Sequence, residues 1–365
     1  MYRWCILLFL ADARPTLPSS GSKFHYLYFM KRLLILLFLI NGSYQFAAAQ
    51  QDIKTQQANA RNFMQQGDYS NAILVLNKAL EQDPGNIELQ NDLVFSHYLM
   101  RNLPKAIELG KKVVEQGNAD IRSFQQLGMC YEALDEKKDA ERLYKEALKK
   151  FPNSGVFYSE LGEVLWAKKD FPTAVQYWER GIEIDPNYSG NYYNAAKHYY
   201  LSTDKVWALI YGEIFVNLES YSKRTAEIRE LLLNSYKKYF SQDKLQAPDP
   251  KNPFATAVAA TLDKHASSVN TGVTTETLTM LRTRFILSWF EKEPVALPFR
   301  LFDYQRQLLK EGMFDAYNQW LFGPAQNLQA FQQWTSNHAA AYNQFLDYQK
   351  GRVFKVPAGQ YYQSK

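Results

Sequence analysis

Apolar positions recur along this chain in three ways, each predicting a different kind of segment. Leu33 to Ile40 is an unbroken apolar run of eight residues. Ala72, Ala106, Ala140, Ala174 and Ala208 then fall at steps of 34 with no insertion between them. Further on, Leu278, Leu281, Phe285 and Trp289 stand three and four apart, which places one apolar stripe on a helix from about Thr274 to Lys292. Leu301 to Glu311 is predicted as a further helix stopped by Gly312, followed by a long final helix from about Ala325 to Gln349. The latter carries Phe331, Trp334, His338, Phe345 and Tyr348 on one face, and an irregular tail follows Gly351.

A repeat of this length means a solenoid, because one helical pair cannot cover its own apolar face and must stack on its neighbours. Pro84, Pro152 and Pro186 keep the same phase, as do Gly128 and Gly162. A proline stops a helix by removing a backbone donor, and small residues let two helices approach to about 8 to 10 Å. Phe124, Leu127, Gly128, Tyr131, Ala140, Tyr144, Ala147 and Pro152 carry the pattern most fully; Tyr158, Leu161, Gly162, Leu165, Ala174, Trp178, Gly181 and Pro186 repeat it. On these residues, the stretch from about 53 to 222 resembles the tetratricopeptide repeat family, a helix-turn-helix solenoid.

The expected fold is therefore all-α, a tetratricopeptide solenoid over 50–240 whose last helix, Lys223 to Phe240, caps it. A Pro-rich linker over 241–253 follows, because Pro248, Pro250 and Pro253 exclude a continuous helix. An aromatic-rich helical domain of no recognised family is expected over 254–365. The segment after Leu309 resembles the repeat turn at Gly67-Asp68-Tyr69.

Met30-Lys31-Arg32, the apolar run and Ala47-Ala48-Ala49 read in order as a secretory signal peptide over 30–49. A spanning helix needs ~20 apolar residues, and Asn41, Gly42, Ser43 and Gln45 interrupt this one. Residues 1–29 read as an upstream extension, with translation beginning at Met30. The mature chain is then expected to start at Gln50 and to be exported, periplasmic or associated with the cell envelope, with no membrane span left after processing.

Charge narrows the partners. The formal charge is +5, but Arg3, Arg14, Lys23, Lys31 and Arg32 precede residue 50 with Asp12 as the only acid there. Without them, 42 − 5 = 37 bases face 37 − 1 = 36 acids. A nucleic-acid partner asks for a basic face, so none is expected. Of the two cysteines, Cys5 and Cys130, only the second would survive processing, so no intrachain disulfide can form. Cys130 is expected to be a buried, inert thiol.

No Gly-rich phosphate loop, Cys-x-x-Cys pair, His-x-x-x-His spacing or Gly-x-Ser-x-Gly elbow occurs. No catalytic residue, metal site or cofactor is expected, and the chain is read as a non-enzymatic interaction scaffold. The family resemblance implies that first helices line a concave groove. In this numbering, its contact positions include Gln57, Arg61, Asn91, Phe95, Tyr98, Arg122, Gln125, Met129, Glu163, Trp166, Tyr193, Lys197 and Tyr200. Asn91 and Gln125 suit an extended peptide backbone, since an amide both donates and accepts. Phe95, Tyr98, Met129 and Trp166 suit its apolar side chains. Two other readings stay open: a glycan-binding module in which Trp166, Tyr193 and Tyr200 stack on sugar rings, and an enzyme whose site lies in the C-terminal half.

Overall fold

The computed structural model describes residues 50–241, 251–292 and 297–363. The expected signal peptide, the upstream extension and positions 242–250 of the linker lie outside them. Among the described residues the secondary structure is helical, with no strand. The chain forms two compact units, divided after Asn102.

The first unit contains α1 (50–65), α2 (Tyr69–Gln82) and α3 (Ile87–Leu99). Its core is built from Ala60, Ala72, Leu76, Ala79, Leu89, Leu93 and Val94. Asp68 starts α2 by accepting from the Asn71 backbone N–H at 3.2 Å, and Asn86 starts α3 by accepting from Leu89 N–H at the same distance.

The second unit continues with α4 (Leu103–Val114), α5 (Ile121–Ala133), α6 (Lys137–Lys150), α7 (Gly155–Ala167), α8 (Phe171–Ile184), α9 (Ser189–Leu201), α10 (Lys205–Leu218) and α11 (Lys223–Phe240). After the linker come α12 (Pro253–Lys264), a 3-10 turn (Ala266–Val269), α13 (Thr275–Lys292), α14 (Arg300–Lys310), α15 (Phe314–Gln326), α16 (Leu328–Asn337) and α17 (Ala339–Gly351).

The 34-residue period is visible in the backbone itself. Ala72, Ala106, Ala140, Ala174 and Ala208 are each 0% exposed, as residues at helix crossings must be. Gly67, Arg101, Asp135 and Lys169, also 34 apart, take left-handed φ values of 78°, 64°, 58° and 68°. The next residue in each case, Asp68, Asn102, Glu136 or Asp170, donates its N–H to the carbonyl five positions back, at 2.9, 2.9, 2.8 and 3.0 Å. This is a Schellman stop, which ends one helix and aims the chain into the next. Inside the pairs, a Cβ on Gly128 would lie 2.1 Å from the Tyr144 hydroxyl oxygen, and one on Gly162 would lie 2.2 Å from Trp178 Nε1. The repeat's glycine thus makes room for the large ring that follows 16 positions later.

Among the described residues the same turn appears once outside the phase. Gly312 has φ 71° and Met313 N–H reaches the Leu308 carbonyl at 2.9 Å, so α14 and α15 are joined as the repeat helices are.

Two expectations change. The single helix over 325–349 is broken at Asn327, which is extended at φ −161° and caps α16 through Ala330 N–H, and again at His338. The breaks let Phe331 return against Gly323 and send Phe345, 0% exposed, between Tyr317 and Trp320. The solenoid and the C-terminal helices also do not form separate cores: one apolar cluster runs from Ala119 to Tyr362. Helix α11 packs on α9, α10 and α15, so it is an interior helix as well as the end of the repeats. Helix α10 is apolar all round, as a helix covered on every side must be, and it is buried from Lys205 to Asn217.

Its buried polar groups are paired. Glu213 of α10 forms an ion pair with Arg282 of α13, both side chains 3% exposed. The same carboxylate accepts from Gln305 Nε2 at 2.6 Å and from the Tyr317 hydroxyl at 2.7 Å. The tail, 352–363, is irregular but seated: Phe354, Val356 and Tyr362 are buried, and Asn252 Nδ2 donates to the Tyr362 carbonyl at 2.6 Å.

Candidate functional site

In the second unit the first helices of successive repeats, α5, α7, α9 and α11, lie side by side. Most expected contact residues are on them. Gln125 Nε2 donates to Glu160 Oε1 at 3.0 Å, and Asn194 Nδ2 donates to Glu163 Oε1 at 2.8 Å and Ser159 Oγ at 3.2 Å. Tyr193 donates its hydroxyl to Glu227 at 2.6 Å, and Lys197 pairs with the other oxygen of that carboxylate at 2.8 Å. These residues form a polar ladder from helix to helix, so their first role is lateral. Burial, with the neighbouring Glu163 charge, pushes the Glu160 carboxyl up to about 7.

The first unit has a rung of the same kind. Gln57 Nε2 and Arg61 Nε both reach Asp92 Oδ2 at 2.8 Å, and Phe95 and Tyr98 stack with centroids 6.0 Å apart.

Two expected contacts are placed differently. Asn91 is 1% exposed and faces the core, so it is not presented to a ligand. Trp166 is half-buried in a ring cluster, 4.5 Å from Phe171, 5.5 Å from Trp178 and 5.8 Å from His198, so its rings pack the repeat rather than stand out for a sugar or peptide. Arg122 and Met129 are half-buried on α5, and Glu163 is exposed on α7.

The ladder ends in an open pocket of about 280 Å³ lined by Lys197, Tyr200, Leu201, Glu227, Leu231 and Asn234 among others. Lys238 Nζ sits 3.7 Å from the Tyr200 ring centroid, and Leu201 is 70% exposed at the rim. Charge of both signs, an amide and exposed apolar surface therefore meet on α9 and α11.

Asp92, Glu160, Asn194 and Glu227 were not among the expected site residues. The first three belong to one 34-residue column, Asp92, Gln126, Glu160 and Asn194, polar at every step. That column was the available signal.

Cys130 is 0% exposed, and burial pushes its thiol up to about 12. Among the described residues no group of three or more His, Cys, Asp or Glu is placed to hold a metal ion, and no helix is long and apolar enough to cross a membrane.

Helical hairpins whose left-handed turn recurs at four successive repeats, constant small-residue crossings and side-by-side first helices define an α-helical repeat protein. Residues 63–128 and 127–189 each match a family model described as tetratricopeptide repeat, so this stretch of the chain is built of tetratricopeptide repeats. Tetratricopeptide repeat protein 21B of Homo sapiens is 25% identical over 147 residues, and its Mus musculus counterpart 24% over 146. Each match spans 40% of this chain and 11% of the relative. Among solved structures, PilF of Pseudomonas aeruginosa is similar with a TM-score of 0.44 at 16% identity, over 72% of this chain and 99% of that one. MamA of Desulfovibrio magneticus gives 0.35 at 12%, over 53% and 97%. The tetratricopeptide repeats over this stretch support a protein-interaction scaffold.

Proposed function

We propose that the protein is an exported scaffold that binds an extended segment of another protein along α7, α9 and α11, anchored at the Lys197, Tyr200 and Leu201 pocket. The observation that carries this is the pocket itself: it combines an exposed leucine, a tyrosine ring and ionic side chains, as a peptide carrying both apolar and polar groups requires. The ladder beside it holds these side chains in place, which lowers the entropy lost on binding. Export rests on the basic, apolar and small-residue order of 30–49.

A photo-crosslinking residue at Leu201 tests the surface. Covalent adducts with a protein should form there and not from the same group at Lys149, exposed on the second-helix side. Adducts from Lys149 alone would reject the assignment. Export is tested separately by mass spectrometry of the N-terminus of the mature protein, expected at Gln50.

A further inference from the structure

Rings and hydroxyls share the wall of an open pocket between the start of α11 and the folded-back helices α15, α16 and α17. It measures about 380 Å³, within the size range of small-molecule sites. Its aromatic residues are Tyr221, Trp320, Phe331 and Tyr342. Phe331 is seated on Gly323, where a Cβ would lie 2.6 Å from the ring, and it meets Tyr342 edge to face at 5.7 Å. Trp320 is buried, whereas Tyr221 stands 70% exposed at the rim. The breaks at Asn327 and His338 are what bring α16 and α17 to this place.

Charge argues against two classes of ligand. No Asp or Glu lines the pocket, and Arg229 in its wall is lowered by burial only to about 10, so it is a cation at neutral pH. A cationic ligand would face that charge with no carboxylate to offset it. An anion gains little in return. Nε and Nη2 of Arg229 are shut off from water, so the guanidinium cannot grip a carboxylate or phosphate through two parallel bonds. Its Cζ lies over the Trp320 ring instead, 4.1 Å from the centroid.

The hydroxyls define the class that remains. Ser220 Oγ donates to the Val216 carbonyl at 3.1 Å and accepts from Gln349 Nε2 at 3.1 Å, and Ser222 Oγ donates to the Glu219 carboxylate. A hydroxyl has one proton and two lone pairs, so each serine has used its proton and keeps an acceptor site. The Tyr221 and Tyr342 phenols make no hydrogen bond among the described residues and can donate as well as accept. The matching ligand is uncharged, rich in O–H groups and able to lie flat on a ring.

We propose that this pocket binds a neutral sugar, a pyranose ring whose C–H face packs on the tyrosine rings while its hydroxyls donate to Ser220 and Ser222. The C–H groups carry slight positive charge and suit the negative face of an aromatic ring. None of the rings expected to stack on a sugar in the repeats, Trp166, Tyr193 and Tyr200, takes part. Thr225 and Arg229, which line the pocket from α11, lie two positions to either side of Glu227 and so turn away from the ladder. The sugar site therefore does not rest on the peptide surface of α9 and α11.

The test is calorimetric titration of the full chain with the methyl glycosides of glucose, galactose, mannose and N-acetylglucosamine, and with disaccharides of the same sugars. Glycerol, choline and glucuronate serve as controls. At least one neutral sugar should bind at millimolar concentration, while glycerol, which has hydroxyls without a ring, and choline, a cation, do not. A disaccharide that binds at least tenfold tighter than its methyl glycoside identifies a glycan chain as the source, and equal binding a free sugar. Tyr221→Ala should weaken the sugar at least fivefold with the melting temperature unchanged, because the ring is mostly exposed. Ala226, exposed on α11, lines the same pocket, so Ala226→Trp should fill it and abolish binding even where Tyr221→Ala fails to fold. The proposal is overturned if no sugar of the set binds, if glycerol or choline binds as well as the sugar, if glucuronate binds more tightly than glucose, or if either folded variant keeps full affinity.

Discussion

Asn187 and Val356 are joined by two hydrogen bonds: the Asn187 amide nitrogen donates to the Val356 carbonyl at 3.2 Å, and the Val356 N–H donates to Asn187 Oδ1 at 2.9 Å. The loop between α8 and α9 thus holds an extended piece of chain by its backbone, with a single amide giving and receiving. This is the recognition chemistry expected of Asn91 and Gln125, carried out on the protein's own tail. Asn187→Ala should cost about 1 to 2 kcal/mol, two net hydrogen bonds. It should also speed hydrogen exchange at the Val356 amide. Unchanged exchange there would show that buried Phe354 and Val356 suffice to seat the tail.

The left-handed turns predict a gain and a loss. Lys169 pays for a left-handed backbone that glycine takes freely, so Lys169→Gly should stabilise by roughly 0.5 to 1 kcal/mol, whereas Gly67→Ala should destabilise by about 1 to 2. Opposite shifts in urea midpoint at the two sites, with unchanged m-values, are the expected reading.

Glu179 on α8 is a buried carboxyl that accepts from the Tyr199 hydroxyl at 2.8 Å and the Tyr211 hydroxyl at 2.7 Å. Burial pushes it from 4.5 up to about 7, the hydrogen bonds opposing. In the window between those values the folded protein keeps a proton that the unfolded chain has released. Its contribution is therefore present in full below pH 4.5 and is lost as pH rises through about 7. Relative to Glu179→Gln, the wild type should gain stability as pH falls from 7.5 to about 5, read from urea unfolding at each pH. Glu160, raised for the same first reason, keeps part of the slope in that variant.

The ion pair between Glu213 and Arg282 tests whether α10 and α13 share one core. Arg282→Met leaves the carboxylate buried without its cation and should cost about 3 to 5 kcal/mol. The double change Glu213→Leu, Arg282→Met should recover only part of that loss, because Gln305 and the Tyr317 hydroxyl lose their acceptor. Chemical denaturation should give a single transition for residues on both sides of the linker. Two resolved transitions, with the first confined to α13–α17, would contradict a common core.

How much of this was legible depends on range. The alanine column, the turns and the stop at Gly312 are written within one period, because helix crossings and chain reversals are local demands. The partnership of Glu213 with Arg282, 69 positions apart, has no periodic trace. A solenoid end that goes on to pack against α15 reads like any amphipathic cap. The break at His338 was hidden because Phe331, Trp334, His338, Phe345 and Tyr348 keep helical spacing through it. For the candidate site, the family positions name residues on the first helices but not the side to which each one turns. Asn91 turns inward, and Gln125, Tyr193 and Lys197 spend their polar atoms on the next helix. The column of Asp92, Gln126, Glu160 and Asn194 carried that information, since polar residues at four successive repeats of a packed face need partners at each.

The most direct test of the scaffold reading is the affinity of the crosslinked protein partner for Leu201→Glu. The side chain is 70% exposed, so the change should leave helicity and melting temperature as they are. Placing a carboxylate in the pocket mouth beside Glu227 and Glu230 should weaken the partner at least tenfold, about 1.4 kcal/mol. Undiminished affinity in Leu201→Glu, with binding lost instead when Glu183 on the outer side of α8 is changed to Lys, would contradict the assignment of the partner surface to α9 and α11.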